Sequence, residues 1–281
     1  MWLLYSLATV LLTTVLALLF RKVSLNTKDQ RAFSFIQNSA VTMLLFLTAL
    51  FVGVGTVDLS SRTAVLVIAG GVSYGMFQRY QFLVRKHIEA SILQTILTPT
   101  TIPAYILAIV WLGESLTIPR VAGYIIILIA TFLVTNKPGK KYSFNAYVVI
   151  ALFIGSIMSI GTTISKQILP AFESVLTYSL ILWAIQSVFC YVPFIQLKSI
   201  TKEIYIHRWT IVVIAVISTL ATGSMLLALR HGNATQVIPI TSSNVIFISI
   251  AGVVFLRERS RVGIKLLSAS LSFIGLLLIS L

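Results

Sequence analysis

One feature constrains this chain more than any other. Ten apolar stretches of near-constant length, separated by nine short polar links, make up its 281 residues. A helix crossing a hydrocarbon layer of roughly 30 Å needs about 20 mostly apolar residues. The stretches fall near 2–20, 35–56, 63–84, 90–111, 119–135, 145–166, 175–197, 209–229, 235–256 and 263–281. Backbone groups in lipid must be bonded within their own segment, so each stretch is read as a helix. A membrane β-barrel would show shorter, alternating segments. The expected fold is therefore an all-α polytopic membrane protein with ten transmembrane helices. With 58% hydrophobic and only 10% charged residues, almost nothing is left for a soluble domain. Residues 2–20 do not read as a signal peptide, because Arg21 and Lys22 follow the apolar stretch instead of preceding it.

The formal net charge of +14 raises the question of nucleic acid. A nucleic-acid footprint is a clustered basic face. Here the basic residues are spread through the links, chiefly Asn26 to Arg31, Lys137 to Lys141, Lys198 to Arg208 and Arg257 to Arg261. Nucleic acid is therefore not expected as a partner; membrane lipids are. Fifteen of the twenty-one Lys and Arg fall in odd-numbered links, counted from that between the first two spans, and Lys265, just past the last of these links, makes sixteen on that side. Arg62, Arg120, Lys166 and Arg230 fall on the even side. The positive-inside rule then puts the odd links in the cytoplasm and both termini outside. A multi-pass protein of the plasma or inner membrane is expected.

The chain also resembles itself. A shift of 144 residues lays Lys86-His87 on Arg230-His231, Ala90 on Ala234, Leu112 on Leu256 and Glu114 on Glu258. A shift of 150 lays Ser6, Thr9 and Thr13 on Ser156, Ser159 and Thr163. Two five-helix repeats are implied, 1–137 and 142–281. Because five is odd, the second must enter the membrane in the opposite sense. Inverted repeats of this kind characterise secondary transporters, with the substrate site at the repeat interface.

Two elements carry a resemblance to a known family. The first is Leu112, Gly113, Glu114, Leu116, Thr117 and Gly123; its counterpart is Leu256, Glu258 and Arg259. Each follows a helix with a polar or proline break at mid-span, Thr98-Pro99-Thr100 in one half and Ile238 to Asn244 in the other. In these features the whole chain resembles the drug/metabolite transporter superfamily, in its ten-helix EamA-type branch. The second half departs in carrying Arg257 where the first has Gly113. The resemblance implies an alternating-access carrier with a central cavity lined by spans one, three, four, six, eight and nine. It implies a substrate such as an amino acid or related metabolite, often moved outward. It also implies cytoplasmic termini, against the charge count. A lipid or lipid-intermediate flippase would share the architecture.

Polar residues at spacings of three and four mark candidate cavity faces. Span three carries Tyr74, Gln78, Gln81 and Arg85, and span four carries Gln94, Thr98, Thr101 and Tyr105. Span one carries Ser6, Thr9 and Thr13, span six Ser156, Ser159, Thr163 and Lys166, and span seven Ser179, Trp183, Gln186 and Cys190. The set expected to bind a small-molecule substrate is Tyr74, Gln78, Gln81, Gln94, Thr98, Ser159, Thr163, Lys166, Thr222 and Ser242. For Ser and Thr the competing reading is a bond to their own helix backbone or a neighbouring helix. Lys166 would either bind an anionic group or extend its ammonium to the headgroups. Pro99, Pro103 and Pro239 would free carbonyls within spans four and nine, for hinges or for substrate.

All seven acidic residues fall in links or at span ends, so cation–proton exchange is disfavoured and a zwitterionic, neutral or anionic solute is expected. Glu114 and Glu258 are read as structural, each serving the N-terminus of the helix that follows it. One cysteine and three scattered histidines exclude a disulfide and offer no metal spacing, and neither a cofactor nor an enzymatic activity is expected. Ten helices can enclose a cavity in one chain, so a functional monomer is expected.

Overall fold

A computed structural model describes residues 1–58, 60–113, 117–135, 146–258 and 260–280. Glu114, Leu116, Arg259 and the basic link 137–141, all singled out above, lie outside the described residues. The helices are α1 (Trp2–Asn26), α2 (Gln30–Val52), α3 (Ser61–His87), α4 (Ala90–Leu97), α5 (Ile102–Leu112) and α6 (Ile118–Thr135) in the first half. The second half has α7 (Ala146–Ile168), α8 (Val175–Tyr191), α9 (Leu197–His231), α10 (Ala234–Ser242), α11 (Asn244–Phe255) and α12 (Val262–Ser280). A 3-10 turn at Thr98–Thr101 joins α4 to α5, and Ser243 alone separates α10 from α11, so the described helices form ten rods. Seven of the rods are long and apolar enough to cross a membrane by length and composition. Their outer faces expose Leu11, Phe51, Phe153, Val213, Val254 and Leu267, the surface expected against lipid tails.

The rods match the expected spans with one clear difference. Lys198 to Arg208, read as a link, is helical and belongs to α9, which runs for 35 residues. At 1.5 Å per residue it is about 52 Å long, far more than the roughly 30 Å of a hydrocarbon core. The surplus turns carry Lys198, Lys202, Glu203, His207 and Arg208. Glu203 and His207 are buried, and Glu203 accepts from the Lys28 and Asp29 N–H groups, both at 2.9 Å. A charged segment stays helical there because it is packed onto the first link.

Packing between rods follows a two-fold rule. α3 packs on α7 and α1 on α9; α3 also packs on α8 and α2 on α9. α7 packs on α4 and α5, and α1 on α10 and α11. Advancing each member by five rods turns the first contact of every pair into the second. The pairs α2 with α8, α6 with α12 and α4 with α11 map onto themselves. The α6–α12 pair is closest: a Cβ on Gly123 would stand 2.4 Å from the Gly275 carbonyl oxygen.

Links gather at two opposite ends. At one, Lys86 donates to the Thr27 carbonyl (3.2 Å), Ser260 donates to Glu89 (2.9 Å), and His87 stacks on Tyr147. At the other, Glu173 accepts from the Thr56 N–H and hydroxyl, each at 2.9 Å, while Arg230 donates to the Glu173 carbonyl (2.8 Å). Val57 and Phe172 complete that clasp as an isolated antiparallel bridge.

Glu258 corrects the reading given above. Its carboxylate caps α4, in the other half of the chain, and not the helix that follows it. It accepts from the Ala90 N–H (2.7 Å), the Ser91 N–H (3.1 Å) and the Ser91 hydroxyl (2.6 Å), with Arg21 at 3.7 Å. A helix N-terminus has unpaired N–H groups and a positive dipole end, so a carboxylate satisfies both. A reversal places it there: Arg257 takes φ +55° and the Glu258 N–H returns to the Gly252 carbonyl (3.2 Å). Gly113, its counterpart, takes φ +71°. The two halves therefore share a left-handed helix end that one makes with glycine and the other with arginine.

A left-handed backbone costs a non-glycine residue about 1–2 kcal/mol. Arg257→Gly is therefore expected to raise the thermal midpoint of the detergent-purified protein, by an amount equivalent to about 1 kcal/mol. The bonds from Thr56 hold the Glu173 carboxyl below the usual carboxylate range. Its contribution to stability is thus full at neutral pH and is lost as pH falls through that lowered pKa. Thermal midpoints of wild type and Glu173→Gln should differ at pH 7 and converge in acid.

Candidate functional site

A cavity of about 310 Å³ lies between the two halves. Eight rods contribute to it; α6 and α12 do not. Its reach along α1 is from Thr9 to Phe20 and along α3 from Tyr74 to Arg85, about 16 Å of helix toward the basic end. Rods two and seven, which the resemblance did not include, supply Gln37, Trp183 and Gln186.

The polar floor comes from the two broken rods. The Gln94 amide donates to Asn244 Oδ1 (2.9 Å), and the Asn244 amide donates to the Thr13 hydroxyl (2.9 Å). This chain links α4, α11 and α1, and so joins the two halves at mid-depth. Hydroxyls meet carbonyls at the breaks: Thr98 donates to Gln94 (3.1 Å), Thr101 to Thr98 (2.8 Å), and Thr241 to Val237 (3.0 Å). Proline at positions 99, 103 and 239 removes backbone donors here. The Thr95 carbonyl, four residues before Pro99, is met by the Thr131 hydroxyl of α6 (3.2 Å), and neighbouring side chains are how such breaks are tolerated in lipid.

Eight of the ten expected residues line the cavity: Tyr74, Gln78, Gln81, Gln94, Thr98, Ser159, Thr222 and Ser242. Tyr74 donates to the Thr162 hydroxyl (3.0 Å), Gln81 donates to Gln78, and the Trp183 indole donates to the Thr222 hydroxyl (3.3 Å). Ser159 also donates to its own helix at Ser156 (2.8 Å), the competing reading for such residues.

Thr163 and Lys166 are elsewhere. Thr163 is fully buried and donates to the Ala104 carbonyl (3.2 Å), at the α5–α7 contact. Lys166 donates to the Leu229 (2.6 Å) and Gly232 (2.7 Å) carbonyls, at the C-terminus of α9. A helix end thus holds its ammonium, as its dipole favours. Arg79 likewise donates to the Val192 and Phe189 carbonyls at the end of α8.

Sequence reasoning passed over Gln37 and Asn244 as site residues, and noted Arg85, Trp183 and Gln186 only as members of stripes. Gln37 is fully buried, and among the described residues its amide nitrogen and oxygen both have no hydrogen-bond partner. It sits two turns inside α2, beside Ser34, Asn38 and Thr42, a polar stripe that the sequence reading did not single out. An amide costly to bury without partners was the available signal.

Residues 145–281 match the model of the EamA-like transporter family. Over those residues the chain is similar to EamA-like transporters, and that likeness, with the chain's long apolar helices, supports a multi-pass membrane transporter. Chains of solved structures match too. One crystal structure superposes with a TM-score of 0.70 over 99% of this chain and 95% of its own, at 14% identity, which speaks for the fold alone. No curated protein matches. The matched half contributes Ser159, Trp183, Thr222, Ser242 and Asn244 to the cavity.

Two hydrogen bonds from an ammonium to a helix end are each worth about 1.5–3 kcal/mol. Lys166→Ala should lower the thermal midpoint of the purified transporter markedly, and Lys166→Arg should recover most of the loss. The mid-depth chain should be coupled: in a cycle of Gln94→Leu and Asn244→Leu, the stability losses should fall short of additivity by about 0.5–3 kcal/mol.

Proposed function

We propose that this transporter is a secondary carrier that moves a small metabolite, such as an amino acid or related solute, outward across the plasma or inner membrane. Its ten rods each cross the bilayer as two inverted five-helix repeats, and the solute binds in the cavity between them. The observation that carries this reading is the Gln94–Asn244–Thr13 chain: the polar centre of a lipid-embedded protein, built from both halves where both are broken. The two-fold packing rule supports the repeat. Link alternation between two ends supports the crossings.

The cavity is itself asymmetric, and the asymmetry supports alternating access. Thr13 lines it, whereas its repeat partner Thr163 is closed into the α5–α7 contact. If the halves exchange conformations, Thr163 opens to the solute path on the opposite side as Thr13 closes. Single cysteines at Thr13 and Thr163, in a Cys190→Ser background, test this with a membrane-impermeant maleimide applied from either face of proteoliposomes. The expected result is labelling from opposite faces, with a transported solute shifting the two rates in opposite directions. Labelling of both positions from one face would sink the carrier reading.

A further inference from the structure

Arg85 is the charged side chain that lines the cavity, and among the described residues it has no counter-ion. It is 7% exposed, its Nε is buried without a hydrogen-bond partner, and its guanidinium lies over the Phe20 ring at 5.4 Å. The carboxylates nearby are already committed. Glu258 caps α4 and pairs with Arg21; Glu89 is held by Lys265 and Ser260. Arg21 itself donates to the Arg85 backbone carbonyl, bringing a second guanidinium close and making the local field more positive. A contact with a ring face and a place in the last turn of its own helix stabilise a cation modestly. They leave five fixed N–H donors to be satisfied. A buried charge without a partner costs several kcal/mol.

The surroundings are built to share a ligand with it. Among the described residues Gln37 has both amide atoms unpartnered, so its nitrogen is free to donate to an anion, while the unpartnered amide oxygens of Gln81 and Gln186 can only accept, from a donor elsewhere on a ligand or from water. All three line the same cavity as Arg85, with no acidic residue among the lining side chains, while Phe77, Trp183, Met158 and Met225 form apolar wall.

We infer that Arg85 anchors the carboxylate of a small organic monoanion, with the free amide nitrogen of Gln37 donating a further hydrogen bond and the apolar wall taking its body. A single uncompensated cation matches one negative charge, which favours a carboxylate over a doubly charged phosphate ester. Some 310 Å³ lies at the low end of the range of ligand pockets, about 300–1,000 Å³, and suits a small solute. This rests on the cavity being the solute site, as proposed above.

The test uses matched pairs of acid and primary amide, beginning with 3-phenylpropionate and 3-phenylpropanamide, with phenyl phosphate as the dianionic control. Binding to the full-length purified transporter is read by isothermal calorimetry, and transport by uptake into proteoliposomes. The expected result is at least tenfold tighter binding of the acid than of its amide. The preference should disappear in Arg85→Gln and return in part in Arg85→Lys. Equal affinity for acid and amide in the wild type overturns the inference without any variant, as does a preference for phenyl phosphate. A preference that survives in a folded Arg85→Gln protein overturns it too. Acid-selective binding with no transport would keep the anion site and count against the carrier reading. Transport of neutral solutes with unselective binding would do the reverse.

Discussion

Two helices broken at mid-depth are the constraint that the rest of the structure answers. Where α4 gives way to α5, and α10 to α11, the regular ladder of backbone bonds is interrupted in what composition says is a lipid environment. An unpaired backbone group in hydrocarbon costs several kcal/mol, so neither break can face lipid. The two broken rods pack against each other through α4 and α11 in the interior, with the α6–α12 pair behind them. Threonine and serine hydroxyls meet carbonyls at the breaks, and Glu258 satisfies the N-terminus of α4 from across the molecule. The polar cavity is a consequence: groups brought in to repair the breaks, together with Gln94 and Asn244, leave a hydrogen-bonding surface at the centre of an apolar protein.

The same logic accounts for much of the chain's unusual charge. With 21 basic residues against seven acidic ones, ordinary ion pairing cannot balance the interior. Instead, several basic side chains end on backbone carbonyls at the C-termini of helices other than their own. Lys166 serves α9, Arg79 and Arg31 serve α8, Lys86 serves α1 and Arg21 serves α3. A helix C-terminus carries partial negative charge and unpaired carbonyls, so each cation finds an acceptor without an acidic partner. These bonds tie neighbouring rods end to end. They also mark Arg85 as an exception, since its guanidinium points away from any such end and into the cavity.

Much of this was legible in the sequence, because lipid imposes simple rules. Rod number and position follow from the length of apolar runs, and the faces of α3 and α4 from the spacing of Tyr74, Gln78, Gln81 and Gln94. What helical periodicity cannot give is the identity of the neighbour that a face meets. Thr163 and Lys166 share a face with Ser159, yet one to two turns along α7 that face has left the cavity for α5 and the end of α9. Gln37 fails the opposite way: its neighbours Ser34, Asn38 and Thr42 turn to other helices and to their own, and only the packing of α2 brings Gln37 to the site. The surplus length of α9 was hidden because its charged turns read as a link. Their helicity depends on burial of Glu203 against the first link.

Repeat symmetry explains why the two misplaced residues were misplaced on the same helix. Thr163 stands in α7 where Thr13 stands in α1, and only Thr13 lines the cavity. A stripe shared by two repeat partners predicts the same environment for both if the halves are in the same conformation. They are not: the space follows α1 and α3 toward the basic end and stops short along α7. At that closed end the Thr56–Glu173 clasp joins the two halves. A structure with two-fold packing rules and a one-sided cavity has an equivalent arrangement in which the sides are exchanged. In that arrangement the polar face of α7 becomes the wall, and the clasp at Glu173 is the contact that must part. On the carrier reading proposed above, the sequence stripe describes both halves of a cycle, whereas a single conformation displays one.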